Sequence, residues 1–184
     1  MRPWKKLSSR PLGDFHIFQL HSQRFVSPRT GHEHDFYVLQ MPRWVNVVAV
    51  TDDQQVVLIE QFRFGTAQVT LEIPGGMIDA GEDPVAAAAR ELQEETGFTA
   101  RSYTLLGDVE PNPAIQDNVC FTVLAEGASR TAAQDLDDKE DIGVLLHPLA
   151  DVPSLLRTGR IRHALVWAAF MHLDLWRSQR TRGD

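Results

Sequence analysis

Short runs of apolar and β-branched residues fill the first third of the chain, a pattern typical of β-strands rather than helices. The predicted strands are 15–20, 36–39, 44–50, 56–60 and 69–73. A Ser-Pro-Arg-Thr-Gly turn signal at 27–31 separates the first two strands. Polar residues 52–55 separate the third strand from the fourth, which predicts a hairpin.

The hydrophobic period changes after residue 83. Asp83 and Pro84 are typical of a helix N-cap and first helical position, residues 86–89 are all alanine, and Gly97 is typical of a helix end. Further strands are predicted at 103–109, 119–125 and 143–147, and further helices at 152–158 and 162–177. This order predicts an α/β fold in which helices cover the faces of a mixed sheet.

Composition narrows the class of protein. The 184 residues are 43% hydrophobic and 23% charged, which predicts one globular domain over residues 1–184. A net charge of -7 argues against a nucleic-acid partner. No stretch approaches 18 consecutive apolar residues, and no apolar segment follows the basic N-terminus, so no membrane contact and a cytoplasmic location are expected. A single cysteine, Cys120, excludes a cysteine metal site and is expected in the core.

Three carboxylates crowd one side of the predicted helix near its C-terminal end. Glu91, Glu94 and Glu95 are three or four residues apart, and the helix dipole is already negative there. A solvated helix face is the plainer interpretation of such a cluster. A bound hard cation explains it better, because Mg²⁺ prefers oxygen ligands, and the Gly75-Gly76 loop before the helix allows close backbone approach.

The stretch 76–98 resembles the Nudix box. That motif consists of Gly, five residues, Glu, seven residues, then Arg-Glu-apolar-any-Glu-Glu-any-Gly-apolar. The chain has Gly76, Glu82 and then Arg-Glu-Leu-Gln-Glu-Glu-Thr-Gly-Phe at 90–98, with no departure. The resemblance implies an α/β/α sandwich around a mixed β-sheet, with an extra N-terminal antiparallel sheet. It also implies metal-dependent hydrolysis of a nucleoside diphosphate linked to another group.

The same resemblance implies the residues of the active site. Mg²⁺ is the expected cofactor, with Mn²⁺ as the alternative. The implied metal ligands are Gly75 (through its carbonyl), Glu91, Glu95 and Glu94. The implied catalytic residues are Glu140, Glu94 and Arg90, with Asp138 as an alternative to Glu140 as general base.

Residues outside the box indicate the substrate. Pro113 lies sixteen residues beyond Gly97, a position that resembles the ADP-ribose pyrophosphatase subgroup, although related nucleoside diphosphate sugar hydrolases have similar loops. Arg63 resembles the arginine of the family's Gln-x-Arg strand, which lies near the pyrophosphate, and an arginine suits bidentate phosphate recognition. Glu72 is expected to bind a ribose hydroxyl or to order its loop, and Trp44 or Trp4 to stack on the base.

Residues 1–45 resemble the β-rich region through which such enzymes dimerise, so a homodimer is expected. The expected reaction converts ADP-ribose or a related nucleoside diphosphate sugar into a nucleoside monophosphate and a sugar phosphate. Two alternatives stay open: a Nudix enzyme for dinucleoside polyphosphates or nucleoside triphosphates, and a non-catalytic ligand-sensing module.

Overall fold

The computed structural model describes residues 1–180, and within them the chain forms twelve strands, three α-helices and one short 3-10 helix. The strands are β1 (Lys5–Asp14), β2 (Gln19–Val26), β3 (Glu33–Gln40), β4 (Trp44–Val50), β5 (Gln55–Arg63), β6 (Gln68–Glu72), β7 (Gly75–Met77), β8 (Phe98–Thr99), β9 (Ser102–Val109), β10 (Cys120–Glu126), β11 (Ser129–Arg130) and β12 (Ile142–Pro148). The helices are α1 (Pro84–Thr96), α2 (Val152–Arg157) and α3 (Ala164–Arg180), and the 3-10 helix is Leu149–Asp151.

The smaller of two compact units consists of residues 1–42 and 110–119. Its sheet has the order β1-β2-β3 with antiparallel pairing throughout, which is the antiparallel N-terminal sheet expected from the sequence. Aromatic rings pack on one face, where Phe36 lies edge-on to both Trp4 and Phe25. The segment 110–119 joins this unit through a hydrogen bond from the Leu39 amide to the Ile115 carbonyl.

Two details of this sheet differ from the sequence prediction. The predicted strand at 15–20 is wrong over its first four residues, where the Phe15 amide donates to the Phe18 carbonyl in a turn and His16 has a φ of 66°. The strand β2 begins only at Gln19. The strand β1 was not predicted, because its Lys, Ser, Arg and Pro residues carry no alternating apolar signal.

The larger unit consists of residues 43–109 and the chain from residue 120 onward. Its main sheet has the order β12-β5-β4-β10-β9, with β6 paired to β5 and β7 paired to β4. The strands β4 and β10 are parallel, whereas the other neighbours are antiparallel, so the sheet is mixed as predicted. The predicted hairpin joins β4 to β5, although these strands pair directly only at Val50 and Val56.

Alternate residues of β4 enter different halves of the core, because successive side chains of a strand point to opposite faces. Val47 and Ala49 pack with Ala87, Ala88 and Leu92 of α1. Val48 and Val50 pack with side chains of α3, among them Val166, Ala169, Phe170 and Leu173. The helices α1 and α3 therefore cover opposite faces of the sheet, and the predicted α/β/α layering is confirmed.

Two other expectations concern burial and membranes. Cys120 lies at the start of β10 with 2% of its surface exposed, as predicted for a core residue. Within residues 1–180, no helix combines the length and the apolar character needed to cross a membrane.

Both ends of α1 are capped as the sequence predicts. The Asp83 carboxylate accepts hydrogen bonds from the amides of Val85 (2.8 Å) and Ala86 (3.3 Å). Gly97 has a φ of 73°, and its amide donates to the Gln93 carbonyl. An added Cβ at Gly97 would also collide with the Ala132 carbonyl oxygen. Helix α1 therefore ends in contact with the segment that follows β11. This contact leaves room only for a glycine at residue 97.

Gly159 provides a matched control for Gly97, since its φ is also 73° but no atom lies within 4 Å of an added Cβ. Gly159→Ala is expected to lower the free energy of unfolding by about 1–2 kcal/mol, the cost of a left-handed backbone. Gly97→Ala is expected to cost about 1–3 kcal/mol more, because of the collision. Urea unfolding measures both values. Equal losses in the two variants would contradict the close contact at residue 132.

Candidate active site

Helix α1 carries two of its three candidate metal ligands, Glu91 and Glu95, on its buried side. Glu91 and Glu95 are buried, with 9% and 4% of their surfaces exposed, whereas the side chain of Glu94 is 41% exposed. The Gly75 amide donates to Glu95 Oε2 at 2.8 Å, which connects β7 to the last turn of the helix. Glu95 is thus hydrogen-bonded to β7, and Glu91 is buried about one helical turn before it.

The glycines before the helix allow this close approach. An added Cβ at Gly76 would lie 2.5 Å from Glu91 Oε1 and 2.6 Å from Oε2. At Gly75 an added Cβ would collide with the Val45 carbonyl oxygen of β4, with which β7 pairs. No other residue type fits at either position without moving the carboxylate or the strand.

Arg90 binds the neighbouring carboxylates. Its Nη1 donates to Glu91 Oε1 at 2.8 Å and to Glu94 Oε2 at 3.0 Å. Its Nε and Nη2 bind the two oxygens of Glu82 at 3.1 and 2.9 Å, and Nη2 also donates to the Met77 carbonyl. One guanidinium therefore joins the loop before the helix to both Glu91 and Glu94. The hydrogen bonds with Glu82 first, and then those with Glu91 and Glu94, raise the pKa of Arg90 above its ordinary value.

Burial disfavours the charged forms of Glu91 and Glu95, the two buried carboxylates of α1. Burial raises the pKa of Glu95 to about 8, against the opposing hydrogen bond from the Gly75 amide and with added repulsion from Glu91 and Glu140. Burial also raises the pKa of Glu91, although Arg90 opposes the shift, and the charges of Glu94 and Glu140 increase it. A positive charge at this place would reverse both shifts.

The donor chemistry of these residues fits a hard divalent cation, because Glu91, Glu94, Glu95 and the Gly75 carbonyl offer only oxygen ligands. Burial, with the repulsion between Glu91, Glu95 and Glu140, disfavours the charged forms of Glu91 and Glu95, and a bound cation would favour them. Within residues 1–180, no three His, Cys, Asp or Glu side chains come close enough together to enclose a metal ion. Arg90 binds oxygens of Glu91 and Glu94 instead.

Arg63 and Glu72 form a bidentate ion pair beside this cluster. The Arg63 Nε donates to Glu72 Oε1 at 2.9 Å and Nη2 donates to Oε2 at 2.6 Å, and the Thr70 hydroxyl also donates to Oε1. Burial alone would raise the pKa of Glu72, but the hydrogen bonds from Arg63 and Thr70 outweigh it and hold the pKa below its usual range. Both oxygens of Glu72 are therefore engaged within the protein, and the Nη1 group of Arg63 takes no part in the pair.

Glu140 lies in a tight turn of the acidic loop 135–141. Its amide donates to the Asp137 carbonyl at 3.1 Å, and its own carboxylate accepts from the Asp137 amide at 3.0 Å. The charge of Glu140 reaches Glu91 and Glu95, since it contributes to the raised pKa of both. The alternative base, Asp138, is exposed in the same turn.

The predicted substrate contacts Trp44, Pro113 and Trp4 are divided between the two units. Trp44 is half-buried at the start of β4, where it pairs with Met77 of β7 and Cys120 of β10. Pro113 is exposed and belongs to the smaller unit, as does Trp4. Their expected contacts with substrate stay predictions.

Two side chains in this region were not predicted from the sequence. The Gln134 side-chain amide donates to the carbonyls of Glu95 and Ile142, and His163 Nδ1 lies 3.7 Å from Glu72 Oε2. Burial lowers the pKa of His163, which favours the neutral ring. Neither residue belongs to a local motif, because each contacts a partner that is distant along the chain.

Comparisons with known proteins agree with this geometry. Residues 40–170, more than half of the chain, match the family model of the NUDIX domain. The chain belongs to the Nudix family. This Nudix protein is 32% identical over 139 residues to the ADP-ribose pyrophosphatase of Bacillus subtilis (strain 168), across 75% of each chain. It is also 32% identical over 132 residues to the ADP compounds hydrolase NudE of Escherichia coli (strain K12), across 72% of this chain and 70% of the relative.

A solved structure shares the Nudix fold. The crystal structure of an ADP compounds hydrolase matches this Nudix protein with a TM-score of 0.86, covering 99% of this chain and 98% of the other. The sequences are 24% identical over that match. The predicted fold class is thereby confirmed.

The Glu72 carboxylate makes the stability of this Nudix protein depend on pH. Its pKa is lowered in the folded state, so it contributes stability above the unfolded value of about 4.3, and this contribution disappears as the pH falls through the folded value. Glu72→Gln is expected to lower the free energy of unfolding at pH 7 by about 1–3 kcal/mol, nearer the lower end because Arg63 is half exposed. The difference from the parent protein should narrow towards pH 3.

Urea unfolding of both proteins at pH 7 and pH 3 measures this change. Glu60→Gln serves as the control. Glu60 is also half-buried in this pair of strands, but it lies opposite Leu71 of β6 rather than a cationic side chain. Its substitution should change stability by a similar, small amount at both pH values. A stability difference for Glu72→Gln that is the same at both pH values would contradict the assigned ion pair.

Proposed function

We propose that this Nudix protein is a metal-dependent hydrolase that cleaves the pyrophosphate bond of ADP-ribose or a related nucleoside diphosphate sugar. The products are a nucleoside monophosphate and a sugar phosphate. One observation carries the proposal: the complete Nudix box places buried Glu91 and Glu95 together beside β7. Its similarity to the Bacillus subtilis protein named ADP-ribose pyrophosphatase supports the substrate class.

Glu91, Glu95 and Glu94, together with the Gly75 carbonyl, would hold Mg²⁺, with Mn²⁺ as the alternative. The bound ion would neutralise the pyrophosphate and lower the pKa of a water molecule. The protein contributes the positions of these oxygens. The Gly75 amide fixes one oxygen of Glu95, and Arg90 holds Glu91 and Glu94 in place.

Arg63 is the proposed pyrophosphate-binding residue. Its Nε and Nη2 are fixed by Glu72, so the guanidinium plane is oriented before substrate arrives, and the Nη1 group is available for an anionic oxygen. We assign to Glu72 the role of orienting Arg63. The two roles expected from the sequence, binding a ribose hydroxyl or ordering its loop, stay predictions. Trp44 and Pro113 are retained as proposed substrate contacts on sequence grounds.

Glu140 is the proposed general base, with Asp138 as the alternative. Its carboxylate lies close enough to Glu91 and Glu95 to contribute to the raised pKa of both. A base in that position would accept a proton from water as the water attacks phosphorus.

A panel of substrates tests the activity. We expect AMP and ribose 5-phosphate from ADP-ribose as the leading products identified by mass spectrometry, with Mg²⁺ present and with full loss on addition of EDTA. The panel includes other nucleoside diphosphate sugars, a dinucleoside polyphosphate and the deoxynucleoside triphosphates. Leading cleavage of either of the last two would support the alternative Nudix enzyme. Binding of ADP-ribose without any turnover would support the ligand-sensing alternative.

Glu95→Gln tests the residues in the same assay. The variant keeps the shape of the buried side chain but cannot become negative, so kcat is expected to fall by at least ~100-fold while the folded state persists. Gln93→Ala, at an exposed position of α1, is the control and should keep kcat. Near-normal turnover by Glu95→Gln would contradict the assigned ligand.

The homodimer is a second part of the proposal. Large apolar side chains of the smaller unit are exposed, including Trp4, Phe15, Ile17, Phe36 and Tyr37. Residues 1–42 contain six Lys or Arg and three Asp or Glu, a net charge of +3, so the remainder of the chain carries -10. An apolar sheet of opposite charge to the rest of the chain suits contact with a second copy. The cytoplasmic location and the lack of nucleic-acid binding stay predictions from the sequence.

Light scattering after size-exclusion chromatography tests the dimer and should give twice the mass of one chain. Phe36→Lys and Tyr37→Lys change consecutive residues of β3, and so opposite faces of the sheet. At least one of these variants is expected to elute as a monomer. Met171→Lys, on the exposed side of α3, is the control and should stay dimeric. A monomeric parent protein would contradict this part of the proposal.

A further inference from the structure

The segment 131–135 covers the C-terminal end of α1. The amides of Thr131 and Ala132 donate to the Gly97 carbonyl, and the Asp135 amide donates to the Glu94 carbonyl at 2.9 Å. The last carbonyls of a helix have no donor within the helix, so they need partners of this kind. The segment thereby supplies hydrogen-bond donors to the end of α1 that carries the carboxylates.

Gln134 adds a contact that the backbone of this segment does not make. Its Nε2 donates to the Glu95 carbonyl at 2.6 Å and to the Ile142 carbonyl at 2.9 Å. A side-chain amide has two N–H hydrogens, so these two bonds use both of them. Ile142 is buried at the start of β12, immediately after the acidic loop. One side chain therefore ties both ends of the loop 135–141 to the helix.

This loop needs such a contact, because it is repelled by its surroundings. It contains five Asp or Glu residues and one Lys, it is bound to the negative end of the helix dipole through the Asp135 amide, and the charge of Glu140 repels Glu91 and Glu95. An uncharged donor holds it there without adding further charge. The turn within the loop is local, with the Lys139 amide donating to the Asp137 carboxylate, and does not by itself connect Glu140 to α1.

We propose that Gln134 is a positioning residue that holds the loop 135–141 against α1, so that Glu140 stays beside Glu91 and Glu95. The inference rests on the proposed function in one respect, since it assigns the effect of Gln134 on turnover to Glu140. The holding of the loop itself does not depend on that function.

Hydrogen–deuterium exchange tests directly whether Gln134 holds the loop 135–141 against α1. The experiment uses the full chain without metal or substrate. Gln134→Ala is expected to speed exchange of the amides at 135–142 at least several-fold, while the amides of the first turns of α1 stay unchanged. Gln93→Ala, an exposed glutamine on α1, is the control. Unchanged exchange in the loop of Gln134→Ala would overturn the proposal, whatever the enzyme hydrolyses. Faster exchange along all of α1 would also overturn it, by showing general loss of structure.

A double-mutant cycle tests whether the effect on turnover passes through Glu140. Gln134→Ala is expected to lower kcat on the order of 10- to 100-fold with little change in KM, as a small misplacement of a catalytic group does. In the Glu140→Gln background the same substitution should lower kcat less than about 2-fold, because the group it positions is already missing. Equal effects in both backgrounds would overturn the role through Glu140.

Gln134→Glu tests whether the two hydrogen bonds donated by the side-chain amide are required. The variant keeps the length of the side chain but replaces the amide donor by a carboxylate, which cannot donate to either carbonyl and adds repulsion. It should impair turnover and loop protection at least as much as Gln134→Ala, and full activity in this variant would overturn the proposal. If the parent protein hydrolyses nothing in the substrate panel, the proposed function fails, and the exchange experiment still decides the role of Gln134 in holding the loop.

Discussion

The site depends on three negatively charged side chains that are held together near the C-terminal end of a helix, where the helix dipole disfavours negative charge. Glu91, Glu94 and Glu95 lie in the last turns of α1, where the helix dipole adds to their repulsion. The protein offsets this in separate ways: a guanidinium between Glu91 and Glu94, a strand amide on Glu95, and donors from the segment 131–135 on the helix carbonyls. Burial still opposes ionisation of Glu91 and Glu95, and a bound cation would favour their charged forms.

The features that were predicted correctly have local causes. The boundaries of α1 follow from the N-cap Asp83 and the left-handed Gly97, which act within a few residues of themselves. The strands β4 and β10 are mostly apolar and mostly buried, and such runs are visible in the sequence. The complete Nudix box is likewise a short motif with fixed spacing, and it indicated the family.

The features that were missed have partners far along the chain. Gln134 donates to the carbonyls of residues 95 and 142, and the sequence around Gln134 contains no motif that predicts either contact. Glu72 was assigned two candidate roles, and neither included its ion pair with Arg63, because strand pairing places Glu72 opposite Ile59 and Arg63 opposite Gln68, so only the long side chains meet. The strand β1 has no apolar period and exists through its pairing with β2.

The outer strand of the N-terminal sheet has a consequence for handling the protein in concentrated solution. The strand β1 is ten residues long and almost wholly exposed, and such an edge readily recruits strands from other molecules. Here its lysines, its arginine and Pro11 lie along that edge, and two register shifts interrupt its pairing with β2. These features discourage uncontrolled strand addition. The charged residues and Pro11 of β1 therefore oppose strand addition at this edge, while aromatic side chains such as Phe36 and Tyr37 stay exposed.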